Sequence, residues 1–508
     1  MFKTFLNIFR VPELRNKILF TLMMLAIFRI GHAVPVPGID QDSFVAKEQL
    51  ALERAEERVK ETEKQYGGTQ SDEATAAIAA AQQERDAAQD AYNRSRNTED
   101  NSAGGRLATY VSLFSGGNLS HGTIFGLGVM PYISASIIFQ LLGTVVPYFE
   151  ALNKEGETGR RKIQEWTRYA TVPIAAMQAY FWLGFMGQDQ IQSTWYGPSF
   201  YLTGVIALTA GCVFLMWIGE QIDEYGLGQG ISLIIMAGIV CRMPAALYSL
   251  YLNSSFDSTA ADSKIGPGTL LALAGAFVFV IATAILITQA QRRIPIMQAK
   301  HTRGRRVYGG AKQFLPLKVN IGGVMPVIFA QSLMLFPGLL ISWIYRFASN
   351  DGQTTGGFAG VMGYLNGRFA PGQFLYVLTE LAMIYFFAFF WTTVQFKPKE
   401  IANNLRDYGS FIPGLRPGKR TADYLEKVMM RMTFVGAAFL CMIAVVPTIV
   451  TTYMGVSYEV AAFLGGTGLL IVVSVVLDMV QRIEANLMMR NYGGFLGAEG
   501  KRIKGRQY

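Results

Sequence analysis

Apolar positions along this chain fall into long blocks separated by polar stretches, not into the short alternation of a soluble fold. Runs near residues 16–34, 124–147, 169–187, 199–219, 230–251, 267–290, 319–345, 373–396, 432–452 and 458–481 suit a bilayer-spanning helix, which needs about 20 residues. They predict ten transmembrane helices and an all-α polytopic membrane protein. The first run does not read as a cleavable signal peptide, because no small-residue cleavage site follows Ala26–Ile30 and Pro35-Val-Pro-Gly reads as a turn.

Two stretches depart from the block pattern. In residues 44–100, Val45, Leu52, Ala55 and Val59 recur at heptad-like spacing among dense charges, and an Ala-rich run follows from Ala74 to Ala91, with Gly67-Gly68 between them. This predicts an inserted helical hairpin on the non-cytoplasmic side, with a flexible charged loop as the alternative. In Arg106–Phe114, Leu107, Tyr110, Val111 and Phe114 share one helical face, and Ser115-Gly116-Gly117 stops the helix. Too short to span, this half-helix either lines a cavity inside protein or lies flat at the membrane surface.

Charge then orients the chain. Lys and Arg crowd the segment 1–17, the loops after spans two, six and eight, and the tail. The opposite loops are nearly bare, with none in 188–198, Lys264 alone in 252–266, and Arg346 and Arg368 in 346–372. Both termini are therefore expected in the cytoplasm. The loop 220–229 runs against the rule, with Glu220, Asp223 and Glu224 and no basic residue.

Composition agrees with a lipid solvent. Charged residues are 16% of the chain, against about 25% in soluble domains, and hydrophobic residues are 51%. The net charge of +9 divides into −5 over residues 44–105 and +14 over the remainder, so the insertion is acidic within a basic protein. Cys212, Cys241 and Cys441 lie in apolar runs without paired spacing, which gives no expectation of a disulfide, metal or cofactor. No Gly-Lys-Ser/Thr phosphate loop is present, so energy for any transport must come from a partner.

The stretch Phe125-Gly-Leu-Gly-Val-Met-Pro breaks span two with Gly126, Gly128 and Pro131. It runs into Met130-Pro-Tyr-Ile-Ser-Ala-Ser, followed by Lys154-Glu-Gly-Glu-Thr-Gly-Arg-Arg-Lys. Further along stand Trp217-Ile-Gly-Glu-Gln-Ile, Gly228-Gln-Gly-Ile-Ser, Gly304-Arg-Arg-Val-Tyr and Leu315-Pro-Leu-Lys-Val-Asn. Phe411-Ile-Pro-Gly-Leu-Arg-Pro-Gly and Phe463-Leu-Gly-Gly-Thr-Gly-Leu-Leu-Ile-Val-Val complete the series. In order and spacing these motifs closely resemble the SecY family, the channel-forming subunits of the protein translocase, over nearly the whole chain. Residues 44–100 are the departure, where the family usually has a short connection.

The resemblance implies two pseudo-symmetric inverted halves of five spans, 16–251 and 252–481. They are flanked by an N-terminal segment, 1–15, and a basic tail, 482–508. It implies a plug over 104–118 and a constriction ring at Val129, Ile133, Ile235, Ile328 and Ile471. A ring of branched aliphatic side chains can fit around a passing chain and, when empty, excludes water and ions by dewetting. One ring position is Val where isoleucine is commoner in the family. The family's lateral exit would lie between spans two and three and spans seven and eight. Loops 291–318 and 397–431, with Arg305, Arg306 and Arg416, would dock the ribosome or the SecA motor, although such arginines also serve topology. SecE, SecG, signal-bearing precursors, membrane lipid and accessory translocase subunits or an insertase are the other implied partners, in a bacterial cytoplasmic membrane. The insertion inherits no function from the family and is expected to contact an extracytoplasmic partner, such as an accessory translocase subunit or an emerging substrate. No covalent chemistry is implied, so the chain is not expected to be an enzyme.

Other classes fit the residues less well. A secondary transporter would gather ionisable ligands at the midplane, whereas here the midplane is aliphatic and Glu380 stands alone. An intramembrane protease would need a Ser/His, paired-Asp or His-Glu-x-x-His arrangement, and none occurs within the spans. A scaffold has no use for a plug followed by a broken span. Glu380, about two turns inside span eight, either faces an aqueous funnel or pairs with a neighbour.

Overall fold

The computed structural model describes residues 12–39, 58, 122–185, 197–252, 266–298, 301–303, 306–308, 312–348, 357–369, 373–454, 460–461 and 466–497. The predicted hairpin of 44–100 (Arg58 apart) and the predicted plug residues Leu107, Tyr110, Val111 and Phe114 lie outside the described residues.

A helix stands at each of the ten places that the apolar blocks predict. They are α1 (Pro12–Gly31), α2 (Met130–Val145), α4 (Glu157–Phe185), α5 (Pro198–Tyr225), α6 (Gly230–Leu252), α7 (Pro267–Gln289), α8 (Met325–Ala348), α10 (Phe374–Gln395), α12 (Lys419–Met454) and α13 (Thr467–Gly497). Three shorter helices join them: α3 (Pro147–Lys154), α9 (Gly357–Arg368) and α11 (Pro398–Asp407). Among the described residues, five stretches are by themselves long and apolar enough to cross a membrane: Pro198–Tyr225, Gly230–Tyr248, Pro267–Gln289, Phe374–Asp407 and Lys419–Thr451. The pair α2 and α3 makes a sixth, bent by 95° where Pro147 opens the second helix. Helices α1, α4 and α13 carry charged turns at an end, which dilutes their apolar character.

Packing gathers these helices around one large apolar core. Helix α2 lies against α4 and α8, α10 lies between α8 and α12, and α13 packs on α6 and α7. The core draws buried side chains from α1, α2, α5, α6, α8, α10, α12 and α13, among them Phe28, Leu215, Ile234, Phe387 and Leu470. A second cluster joins Val36, Ile39 and Leu127 to the adjoining ends of α4 and α5, through Ala179, Leu183, Phe200 and Leu208. The two ends of the excursion 40–121 meet there. Val36 N–H donates to the Gly122 carbonyl at 2.8 Å and Ile124 N–H to the Val34 carbonyl at 3.0 Å.

The basic loops add short strands to this helical body. Strand β1 (Gln291–Gln298) pairs antiparallel with β4 (Lys312–Lys318), placing Ile294 opposite Leu315, and also with β5 (Ser410–Phe411), in the order β4-β1-β5. A second hairpin joins β2 (His301–Arg303) to β3 (Arg306–Tyr308). Alternation along β1 buries Ile294 and Ile296 and leaves Arg292 and Arg293 exposed. The buried face packs on one end of α12 through Leu425, Val428, Met429 and Met432. Both basic loops are thus clamped to the body as one small platform.

Candidate functional site

Five residues singled out in the sequence as a ring come from four helices, and all of them are part of the main core. Ile133 lies on α2 and Val129 caps its start, while Ile235 lies on α6, Ile328 on α8 and Ile471 on α13. All are between 0 and 5% exposed and belong to the same apolar cluster. The local sequence explains how α2 brings two of them together. Residues 124–129 form turns, and Pro131 falls in the first helical turn, where its missing N–H has no intrahelical partner to lose. The broken span is therefore a turn followed by a helix of 16 residues.

Beside these aliphatic positions lies a buried polar group on three other turns. Gln331 of α8 donates from Nε2 to Glu380 Oε1 of α10 at 3.3 Å and to Thr467 Oγ1 of α13 at 3.3 Å. Ser332 donates to its own helix at the Ile328 carbonyl, 2.7 Å away, and faces Met130 Sδ at 3.7 Å. All four polar side chains are buried. Glu380 therefore pairs with a neighbour, the second of the two options the sequence left open. Gln331 and Thr467 were not singled out from sequence. The available signal was a glutamine followed by a serine inside an apolar span, where polar residues carry a cost.

A pocket of about 520 Å³ opens between α2 and α10. Its wall is Thr144 on one side and, on the other, a stripe of Tyr385, Phe386, Phe389 and Phe390. The lining is almost wholly apolar. The aromatic stripe at helical spacing was visible in the sequence, but its facing partner was not.

On the basic face, Arg416 is exposed in the turn between β5 and α12. The turn is held by Thr421, whose hydroxyl donates to the Arg416 carbonyl at 2.9 Å. Gly414 (φ 83°) and Gly418 (φ 104°) adopt backbone conformations that side chains resist, so the Gly-Leu-Arg-Pro-Gly sequence is a turn scaffold presenting an arginine. Arg306 opens β3, and Arg305 lies outside the described residues.

The acidic loop that broke the charge pattern has a structural use. Arg168 Nε on α4 lies 2.6 Å from Glu220 Oε1 on α5, and Asp223 Oδ1 accepts from the Gly230 N–H at 2.8 Å, capping α6. Two of its three acids are thus engaged within the protein. Among the described residues, no group of three or more His, Cys, Asp or Glu side chains could hold a metal ion.

Comparison with known proteins follows the same outline. The SecY family profile matches residues 123–480. The protein translocase subunit SecY of Thermotoga maritima is 36% identical over all of both chains. That of Escherichia coli (strain K12) is 37% identical over 94% of this chain and 93% of its own. Among solved structures, a protein-conducting channel covers 96% of this chain and 95% of that one, at a TM-score of 0.55 and 16% identity. Sec61 in the canine ribosome-channel complex gives a TM-score of 0.53 at 16% identity, over 96% and 95% of the two chains. At these identities the structural likeness speaks for the fold.

Proposed function

Because the chain belongs to the SecY family, it is a protein-conducting channel subunit of the translocase, a multi-pass membrane protein and not an enzyme; from that premise we propose how its own residues do the work. Val129, Ile133, Ile235, Ile328 and Ile471 form the constriction through which an unfolded secretory chain passes. The observation that supports this is that all five, from four separate helices, are buried in one apolar cluster. An aliphatic ring makes no directional bonds, so it accepts any passing side chain and closes to water and ions when empty. Residues 104–118 are the plug that covers it from the extracytoplasmic side.

The lateral exit runs between α2 and α4 on one side and α8 and α10 on the other. The aromatic-lined pocket between α2 and α10 supports this seam, since it offers an apolar surface between the two sides. A segment of about 20 apolar residues gains free energy by leaving sideways into lipid. A central Lys, Arg or Asp costs about 2.5–3.5 kcal/mol on insertion scales and holds a segment back. Sorting between secretion and membrane integration is then a partition between water and hydrocarbon.

Both termini and the basic platform face the cytoplasm of a bacterium, where Arg305, Arg306 and Arg416 dock the SecA motor or the ribosome. The exposed arginine on a fixed turn supports this, because topology alone requires charge but no scaffold. Contact with ribosomal RNA would be dominated by phosphate and weaken with salt. SecE and SecG complete the channel, signal-bearing precursors are its substrates, and an accessory translocase subunit or an emerging substrate meets the acidic insertion.

The test places a cysteine at the ring by Ile328→Cys, with Cys212, Cys241 and Cys441 replaced, in membranes carrying the small subunits and the motor. A stalled precursor with one cysteine in its mature region should form a disulfide with it only when ATP and a signal sequence are supplied. No disulfide, with partners confirmed bound, would remove Ile328 from the path and sink the ring assignment.

A further inference from the structure

The candidate ring has a polar neighbour within one helical turn. Gln331 follows Ile328 by three residues on α8 and Thr467 precedes Ile471 by four on α13, so each lies on the same flank of its helix as the ring residue. One side-chain amide spans the two, donating to Thr467 and to Glu380 at 3.3 Å each. Helix α10 contributes no ring residue, and its carboxyl group is joined to the ring-bearing helices through Gln331. We propose that Glu380 is a positioning residue for the pore seal, fixing α8 and α13 through Gln331 at the spacing that closes Ile328 against Ile471.

Three physical arguments support this. Between helices in lipid there is little hydrophobic driving force, so apolar contact alone sets their spacing and rotation weakly, whereas a hydrogen bond across helices is directional. An intramembrane acid is costly to keep, and here it is only 6% exposed. Finally, the Gln331 amide turns its nitrogen toward two oxygens while its own Oε1 is left without a hydrogen-bond partner among the described residues. The same stretch of α8 meets α2 through Ser332 and Met130, so three ring-bearing helices are registered around a single turn.

The inference rests on the ring assignment above, and the experiment separates the two. The full chain with its small partner subunits is reconstituted in planar bilayers, and resting ion leak is measured for the parent, Glu380→Leu, Glu380→Gln, Gln331→Leu, the double Glu380→Leu/Gln331→Leu and Ile328→Gly. Glu380→Leu and the double should raise the leak roughly tenfold, from loss of one buried hydrogen bond between the helices. Glu380→Gln, which keeps an acceptor, should stay within about twofold of the parent on the same reasoning. The double decides between positioning and packing, because it leaves neither the acid nor the amide buried without its partner. A double with the parent's leak would mean the pair merely satisfies itself, and the proposal would be lost; the double also stands in should Glu380→Leu fail to assemble. A leak raised by Ile328→Gly but not by the network variants overturns the proposal alone. A leak unchanged even by Ile328→Gly overturns the ring assignment and the proposal with it.

Discussion

Gly230 begins α6 where the chain has just turned back from α5, and a methyl group there would collide with the Gly219 carbonyl. The turn is tight enough that Asp223 reaches the same residue's N–H. Gly230→Ala should therefore cost about 2 kcal/mol through overpacking, read as a fall of several degrees in the thermal midpoint of the detergent-solubilised protein. Gly275→Ala is the matched control, since a methyl group on that exposed face of α7 meets nothing within 4 Å. It should hold or slightly raise the midpoint, by roughly 0.5–1 kcal/mol of helix preference. Equal loss at both positions would show that the close approach of α5 and α6 is not what Gly230 provides. The acidic loop teaches the same lesson: Glu220 and Asp223 looked like errors in a charge rule and are an ion pair and a helix cap.

The excursion between Ile39 and Gly122 leaves and returns at one place, because Val34 and Val36 bond directly to Gly122 and Ile124. Deleting residues 45–100 should then leave the body folded, with a thermal midpoint unchanged or raised by no more than about 1 kcal/mol of loop-closure entropy. A collapse on deletion would mean that the helical core depends on the insertion. On the opposite face, Ile294→Asp and Arg416→Glu should part company. The first buries a charge under the β1–β4 hairpin and should abolish docking by unfolding the platform, visible as proteolysis within 291–318. The second should leave proteolysis unchanged, weaken ribosome binding and lower its salt slope by about one. Identical proteolysis in the two variants would deny that the sheet supports the platform. Long apolar runs made the helical body readable, because a bilayer demands length and little else. The strands were not readable, since Arg293, Ile294, Pro295 and Ile296 are too few and too basic to declare an alternation. The extensions of α4 and α12 read as loops because their charged turns look the same whether helical or not. The proposed ring positions are ordinary aliphatics whose proposed role came only from the family motifs, and Gln331, Glu380 and Thr467 stand too far apart in sequence to suggest a contact.

Bridging the seam tests the two halves together. A cysteine at Thr144 and another at Phe389, joined by a short bifunctional thiol reagent across the pocket in a chain lacking its own three cysteines, should stop both export and membrane integration. Reversing the link should restore both. Export that persists with the link in place would mean the two sides of the seam need not part. The length of α12 carries a consequence of another kind. Its 36 residues extend about 54 Å, well beyond a hydrocarbon core of about 30 Å. One end is buried under the β1–β4 hairpin, and farther along the helix Thr433 bonds to Thr392 of α10 at 3.0 Å. A load applied at the platform would act on one end of this long arm, which has α10 beside it and Pro447 in its far part. Torque from a bound motor would reach the seam as a tilt of that arm, without any chemical signal passing through the bilayer.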